Sequence, residues 1–207
     1  MILYYTPECY HFSMGMVAAG FVLVGGRSSR MGRDKARLPA GGGCLATRAA
    51  EAVAAVCGSV TLVGDPAQYG NLGYPVIPDE IGGCGPLAGI AAALGVSTAA
   101  WNLILACDMP EAGEDFLGRL LERAHAEEGH IEAGDAVIPA GPSGKLEPLC
   151  AAYHRRCLPA FRMALECGTR KISEALENVN AVIWTVADAR PFQNVNTPEE
   201  WRAYAGH

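Results

Sequence analysis

Residues 23–35 read Leu23-Val24-Gly25-Gly26-Arg27-Ser28-Ser29-Arg30-Met31-Gly32-Arg33-Asp34-Lys35. Two adjacent glycines let backbone amides approach a phosphate chain closely and form an anion-binding nest. Arg27, Arg30, Arg33 and Lys35 surround them with positive charge, in a chain whose formal net charge is −6. That local excess points to a nucleoside triphosphate, although a solvated surface loop can carry the same residues. The stretch is neither a P-loop, G-x-x-x-x-G-K-[ST], nor a dinucleotide fingerprint, G-x-G-x-x-G. Further along, Cys107-Asp108-Met109-Pro110 offers a single carboxylate. Such a group can hold Mg²⁺ while a triphosphate supplies other ligands, because that ion prefers a few carboxylates together with phosphate oxygens. Capping of the next turn is the alternative role for Asp108. Pro78-Asp79 precedes a second glycine-dense turn, Gly82-Gly83-Cys84-Gly85-Pro86-Leu87-Ala88-Gly89, which opens a helix. Backbone there can pack against a ligand or against a neighbouring strand. In Asn194-Val195-Asn196-Thr197 the two asparagines are two residues apart. In an extended chain they point to one side and can donate to a polar substrate, although ordinary turn chemistry also explains the pair.

His11, His125, His130, His154 and His207 all lie outside these loops, and no Ser/His/Asp or Cys/His arrangement can be assembled. Surface or filler roles suit them. A substrate phosphate, already ionised at neutral pH, needs no enzymic base when it is the attacking group. Catalysis then reduces to positioning and charge neutralisation.

The elements that must position these residues alternate along the chain. Apolar runs with β-branched members predict buried strands over 20–24, 60–63, 75–77, 101–106, 136–138, 149–153 and 181–186. Helical spacing covers 45–57, 87–94, 115–128, 155–166 and 172–176. Thr197-Pro198-Glu199-Glu200 combines an N-cap, a proline at the first helical position and a capping-box glutamate. Strands alternating with helices predict an α/β fold, a single doubly wound, mostly parallel sheet with helices on both faces. In such sheets ligands bind beyond the carboxyl ends of the strands, where the loops above fall. One domain is expected over residues 16–207. Residues 1–15 form an N-terminal extension without a clear period, either disordered or an over-extended start.

Half of the 207 residues are hydrophobic and 18% are charged, enough apolar material for a large core without disulfide or metal staples. The acidic balance, without blocks of like charge, argues against a nucleic-acid partner. Eight cysteines are scattered with no C-x-x-C pair, which predicts reduced, buried thiols and a cytoplasmic location. Residues 82–107 contain no charged side chain. Glycines, Pro86, Ser97, Thr98 and Asn102 break that run into a helix and a strand, so no membrane association is expected.

Taken in order, residues 23–35, Pro78-Asp79, Gly85-Pro86-Leu87-Ala88-Gly89, Cys107-Asp108-Met109-Pro110, Glu147-Pro148-Leu149-Cys150 and Asn194-Val195-Asn196-Thr197-Pro198-Glu199-Glu200 carry a resemblance. From about residue 17 to the end the chain resembles the molybdenum cofactor guanylyltransferase (MobA) family. The first loop by itself would indicate only the wider nucleotidyltransferases, sugar-nucleotide pyrophosphorylases included. The resemblance implies a Rossmann-like nucleotidyltransferase fold and transfer of GMP from Mg²⁺-bound GTP to the terminal phosphate of molybdenum-bound molybdopterin, releasing pyrophosphate. Carried onto matching positions, it implies nucleotide contacts at Leu23, Val24, Gly25, Gly26, Lys35, Asp79 and Asp108. Lys35, Asp108 and Arg30 would serve catalysis, with Asp108 also the metal ligand. Asn194 and Asn196 would fall toward the pterin half, and Arg170 and Lys171 are assigned there from their charge. Molybdoenzymes or other molybdenum cofactor assembly proteins are the implied protein partners. Val24 stands where the family usually has alanine, and Val63-Gly64-Asp65 where it can offer an asparagine to the nucleotide. A cytidylyltransferase acting on the same acceptor shares most of these loops. Another sugar- or alcohol-phosphate nucleotidyltransferase, or a non-catalytic nucleotide-binding partner in molybdoenzyme assembly, are the further alternatives.

Overall fold

A computed structural model describes residues 18–25, 34–79, 85–128 and 133–205. The N-terminal extension and residues 26–33, with Gly26 and Arg30, lie outside them. In chain order the elements are β1 (Ala18–Leu23), a 3-10 turn (Lys35–Arg37), β2 (Pro39–Ala40), β3 (Gly43–Cys44), α1 (Leu45–Cys57) and β4 (Val60–Val63). Next come α2 (Pro66–Tyr69), β5 (Val76–Ile77), α3 (Pro86–Val96), β6 (Trp101–Ala106), α4 (Glu114–Ala126) and β7 (Ala136–Ala140). The chain closes with β8 (Cys150–His154), α5 (Cys157–Glu166), α6 (Ile172–Leu176), β9 (Ala181–Thr185) and α7 (Pro198–Ala205).

Seven strands form one sheet in the order β5-β4-β1-β6-β8-β7-β9. β5, β4, β1 and β6 run parallel, as do β7 and β9, while β8 is antiparallel to both its neighbours. The sheet is therefore mostly parallel, as expected. All six residues of β6 are buried because helices cover both faces, which is why its sequence runs continuously apolar. Alternation along β6 sends Leu103 and Leu105 to the layer of α1 and α4, and Ile104 to the layer of α3 and α5. Each such side chain contributes about 1.5–3 kcal/mol when fully buried.

Helix α1 buries Leu45, Ala46, Ala49, Ala50 and Val53, a stripe at helical spacing. It lies close over β1 at Gly20, where a Cβ would stand 2.8 Å from Ser59 O and collide with Val53. Helix α3 is apolar all round and buries every residue from Leu87 to Leu94, so the uncharged stretch does divide into a helix and a strand. No helix among the described residues is long and apolar enough to cross a membrane.

The differences from expectation are local. The two-residue strands β2 and β3 pair antiparallel as a small separate hairpin, too short for any period to reveal. Helix α2 follows β4 directly, capped by Asp65 Oδ1, which accepts from Ala67 N at 2.9 Å. Helix α5 begins at Cys157, two residues later than the spacing predicts, because Arg155 N donates to Ala100 O at 2.8 Å and Arg156 Nε to Asp135 Oδ1 at 2.8 Å. The C-terminal capping box is present: Glu200 N donates to Thr197 Oγ1 at 3.1 Å and Thr197 N to Glu200 Oε2 at 3.0 Å.

Candidate active site

After β1 the chain turns outward to β4 and β5, then returns past β1 to β6. The crevice beyond the carboxyl ends of β1 and β6 is thus a topological switch point, where open α/β sheets bind ligands. A cavity of about 650 Å³ opens there. Leu23, Val24 and Gly25 supply one wall, Lys35 and Asp108 a second, and Asp79, Gly85 and Gly89 a third. Six of the residues assigned to the nucleotide are therefore brought together in one place. Gly26 and Arg30 lie outside the described residues.

Local hydrogen bonds hold this geometry. Cys107 N donates to Leu23 O at 3.1 Å and Val24 N to Val63 O at 3.0 Å, so the strand ends stay in register as they enter the cavity. Gly85 begins α3 at φ 78°, a left-handed conformation that glycine adopts without strain. Along α3, Gly89 leaves the wall open: a Cβ there would stand 3.2 Å from Leu23 Cδ2 and 3.7 Å from Asp79 Oδ1. Asp34 caps the 3-10 turn by accepting from Ala36 N at 3.1 Å, and this turn presents Lys35.

The Lys35 ammonium donates to Asn196 Oδ1 at 2.6 Å and lies 3.8 Å from Asp108 Oδ2. The C-terminal segment is joined to the same point, since Val195 N donates to Asp108 O at 2.8 Å. Burial raises the Asp108 carboxyl from its ordinary value, and the neighbouring Lys35 charge opposes that rise. Burial likewise raises Asp79. Burial also pushes the Cys107 thiol up, which keeps it protonated and unsuited to nucleophilic work.

Among the described residues no three Asp, Glu, His or Cys side chains gather as a metal cage. Asp108 and Asp79 instead share one cavity, and two carboxylates are compatible with a hard divalent cation that arrives with its phosphates. The residues present fit Mg²⁺ on those terms.

Asn194 and Asn196 have different surroundings. Asn196 is engaged by Lys35, whereas Asn194 lines a neighbouring cavity of about 1330 Å³ with Arg48, Trp201 and Tyr204. There Trp201 Nε1 donates to Pro39 O at 3.1 Å, and the Arg48 guanidinium lies 5.6 Å from the Tyr204 ring centre. Arg170 and Lys171 line neither cavity. Lys171 Nζ is 3.0 Å from Glu174 Oε1, and the Arg170 backbone carbonyl approaches Gly85 at the rim of the first cavity. The described histidines His125 and His154 lie elsewhere, paired with Glu128 and packed edge-on against Trp101.

Residues 20–181 match the MobA-like NTP transferase domain family. The chain belongs to this family. It is 36% identical to the probable molybdenum cofactor guanylyltransferase of Pelotomaculum thermopropionicum over 191 residues, 88% of this chain and 89% of that relative. It is 31% identical to the protein of the same description from Chloroflexus aggregans, covering 92% of this chain and 96% of the relative. The crystal structure of molybdopterin-guanine dinucleotide biosynthesis protein A from Archaeoglobus fulgidus superposes with a TM-score of 0.72 at 28% identity, over 91% of this chain and 97% of that one.

Some side chains at these cavities carry no recognisable signal in the sequence. Asp34 reads simply as part of a charged loop, and nothing marks Tyr69 as its partner. Arg48 and Trp201, on the neighbouring cavity, look like ordinary residues of two amphipathic helices.

Proposed function

We propose that this enzyme transfers GMP from GTP to the terminal phosphate of molybdenum-bound molybdopterin, forming the guanine dinucleotide cofactor and releasing pyrophosphate. Family membership, and relatives described as guanylyltransferases that align over most of the chain, support the reaction class and the acceptor. The observation that carries the site assignment is the Lys35–Asp108 pair at the carboxyl ends of β1 and β6, inside one cavity.

An oxygen of the acceptor phosphate attacks the α-phosphorus of GTP. One P–O bond forms there, the bond to the bridging oxygen breaks, and its electron pair leaves with pyrophosphate. The nucleophile is already an anion, so no side chain needs to remove a proton, and the described histidines, His125 and His154, do not line the cavity. Lys35 neutralises phosphate charge, and Asn196 and Asp108 hold its ammonium in place. Asp108, with Asp79 nearby, would hold Mg²⁺, which supplies further charge neutralisation on the triphosphate. The walls at Leu23–Gly25 and at Gly89 admit the nucleotide. Asn194 and Asn196 take the acceptor side, with Arg170 and Lys171 adding positive charge near the rim. Molybdoenzymes or cofactor assembly proteins would receive the product. The six described cysteines, all unbonded thiols, suit a reducing cytoplasm.

The test is pyrophosphate release from each of the four ribonucleoside triphosphates, with and without molybdenum cofactor. GTP should turn over only when the cofactor is present. Turnover with CTP alone would replace the guanylyl reading by a cytidylyl one, and nucleotide binding without turnover would leave a non-catalytic partner.

A further inference from the structure

The turn that carries Lys35 is held by the connection between β4 and β5, chiefly through Asp34, which lines the nucleotide cavity beside Lys35 and Ala36. Asp34 Oδ1, besides capping the turn, accepts from the Tyr69 hydroxyl at 3.2 Å, and Asp34 Oδ2 accepts from Gln68 Nε2 at 2.9 Å. Arg37, at the far end of the turn, donates to Gln68 O and, at 2.7 Å, to Asn71 Oδ1. Its guanidinium also lies 5.9 Å from the Tyr69 ring centre. Tyr69 is 3% exposed. Its ring lies against Gly64, where a Cβ would stand 3.1 Å from two ring carbons.

The turn is thus gripped at both ends by one short segment, and Tyr69 is the buried member of that grip. Lysine has a flexible four-carbon stem, so the place of its ammonium depends on where the backbone turn is anchored. On the cavity side the ammonium meets Asn196 and Asp108. The backbone of the turn depends on Asp34 at the cavity wall and on its partners Gln68 and Tyr69 behind it.

We propose that Asp34 and Tyr69 are positioning residues for triphosphate binding, clamping the Lys35–Arg37 turn to the β4–β5 connection so that Lys35 faces Asp108 and the nucleotide. The clamp joins two parts of the site that are remote in sequence, since β5 leads on to Asp79. It rests on the reading of Lys35 as a triphosphate ligand.

A double-mutant cycle tests it, with titration calorimetry of GTP in the presence of Mg²⁺ as the readout, so that variants without turnover remain measurable. The four proteins are wild type, Tyr69→Phe, Lys35→Ala and the double variant, each checked for its melting temperature. Tyr69→Phe keeps the ring against Gly64 and removes only the hydroxyl. It should weaken GTP binding about fivefold to tenfold, the scale of one hydrogen bond. In the Lys35→Ala background the same substitution should have less than about a twofold effect, because the group it positions is gone. An equal loss in both backgrounds would reduce Tyr69 to a structural role, and no loss in the wild-type background would remove the clamp. Should Lys35→Ala itself leave GTP affinity unchanged, the reading of Lys35 fails and the clamp fails with it, an outcome distinct from the other two.

Discussion

Replacing Lys35 with alanine perturbs the centre of the site. The ammonium makes a 2.6 Å hydrogen bond to Asn196 Oδ1, lies 3.8 Å from Asp108 Oδ2, and its side chain is 19% exposed. It has three N–H donors, and Asn196 is the one partner at hydrogen-bond distance, so donors remain for a phosphate oxygen. A charge-assisted hydrogen bond of that kind contributes about 1.5–3 kcal/mol, and its loss should lower kcat/KM for GTP about 10- to 150-fold. A rise in KM with kcat intact would show that Lys35 grips the ground and transition states equally; a fall in kcat would show that its hold tightens as charge moves onto pyrophosphate. A second effect follows from Asp108, whose carboxyl is raised by burial and lowered by Lys35. Without the lysine the lowering influence is lost, so the acid limb of the pH–rate profile should move to higher pH. Lys35→Arg restores charge but not the compact ammonium, and should recover activity only in part. The assay is pyrophosphate release across GTP concentration and pH. A kcat/KM within twofold of wild type, together with an unmoved acid limb, would refute the placement of Lys35 on the triphosphate.

Asp108→Asn separates function from stability. Burial raises the folded-state pKa of Asp108 above its unfolded value, so the stability it contributes is present at low pH and is lost as pH rises through that raised value. The variant should therefore melt no lower than wild type at pH 8, with any gain closing as pH falls through the carboxylate range, while GTP turnover drops by about 10³-fold or more; a marked fall in melting temperature at pH 8, or near-normal turnover, would contradict this. Gly20→Ala places a Cβ 2.8 Å from Ser59 O and 3.2 Å from Cys57 Cβ. Such overpacking between β1 and α1 should cost about 1–3 kcal/mol, or about 3–10 °C in melting temperature by calorimetry, and an unchanged Tm would mean that α1 lies farther from β1.

Fold class was legible wherever a segment was long and apolar. Leu45–Cys57, Val60–Val63, Trp101–Ala106 and Ile172–Leu176 fall where hydrophobic spacing puts them, because their partners cover them in the way their own pattern demands. Thr197 and Glu200 form their capping box because both groups lie within one turn of each other. The hairpin at Pro39–Cys44 was not legible, since strands of two residues have no period. Nor was the reversed direction of β8, because an apolar run of five residues reads identically in a parallel and an antiparallel setting.

The site divides on the same line. Glycines followed by basic residues, a lone carboxylate after a buried strand and two asparagines before a helix cap are statements about residue types at short spacing. They were enough to expect an anion-binding loop, a metal-binding carboxylate and membership of a family. Which of those groups meet is a different matter. Lys35 reaches Asn196 across 161 residues of chain, and Asp34 reaches Tyr69 across 35. Strand order brings the ends of β1, β4 and β6 together, and that order follows from how the two helical layers pack over the sheet. Hydrophobic period and turn chemistry act over a few residues, so the sequence by itself determined the elements and the chemical parts. Long-range packing alone decided that Lys35 stands between Asp108 and Asn196, and that Asn194 faces a different cavity.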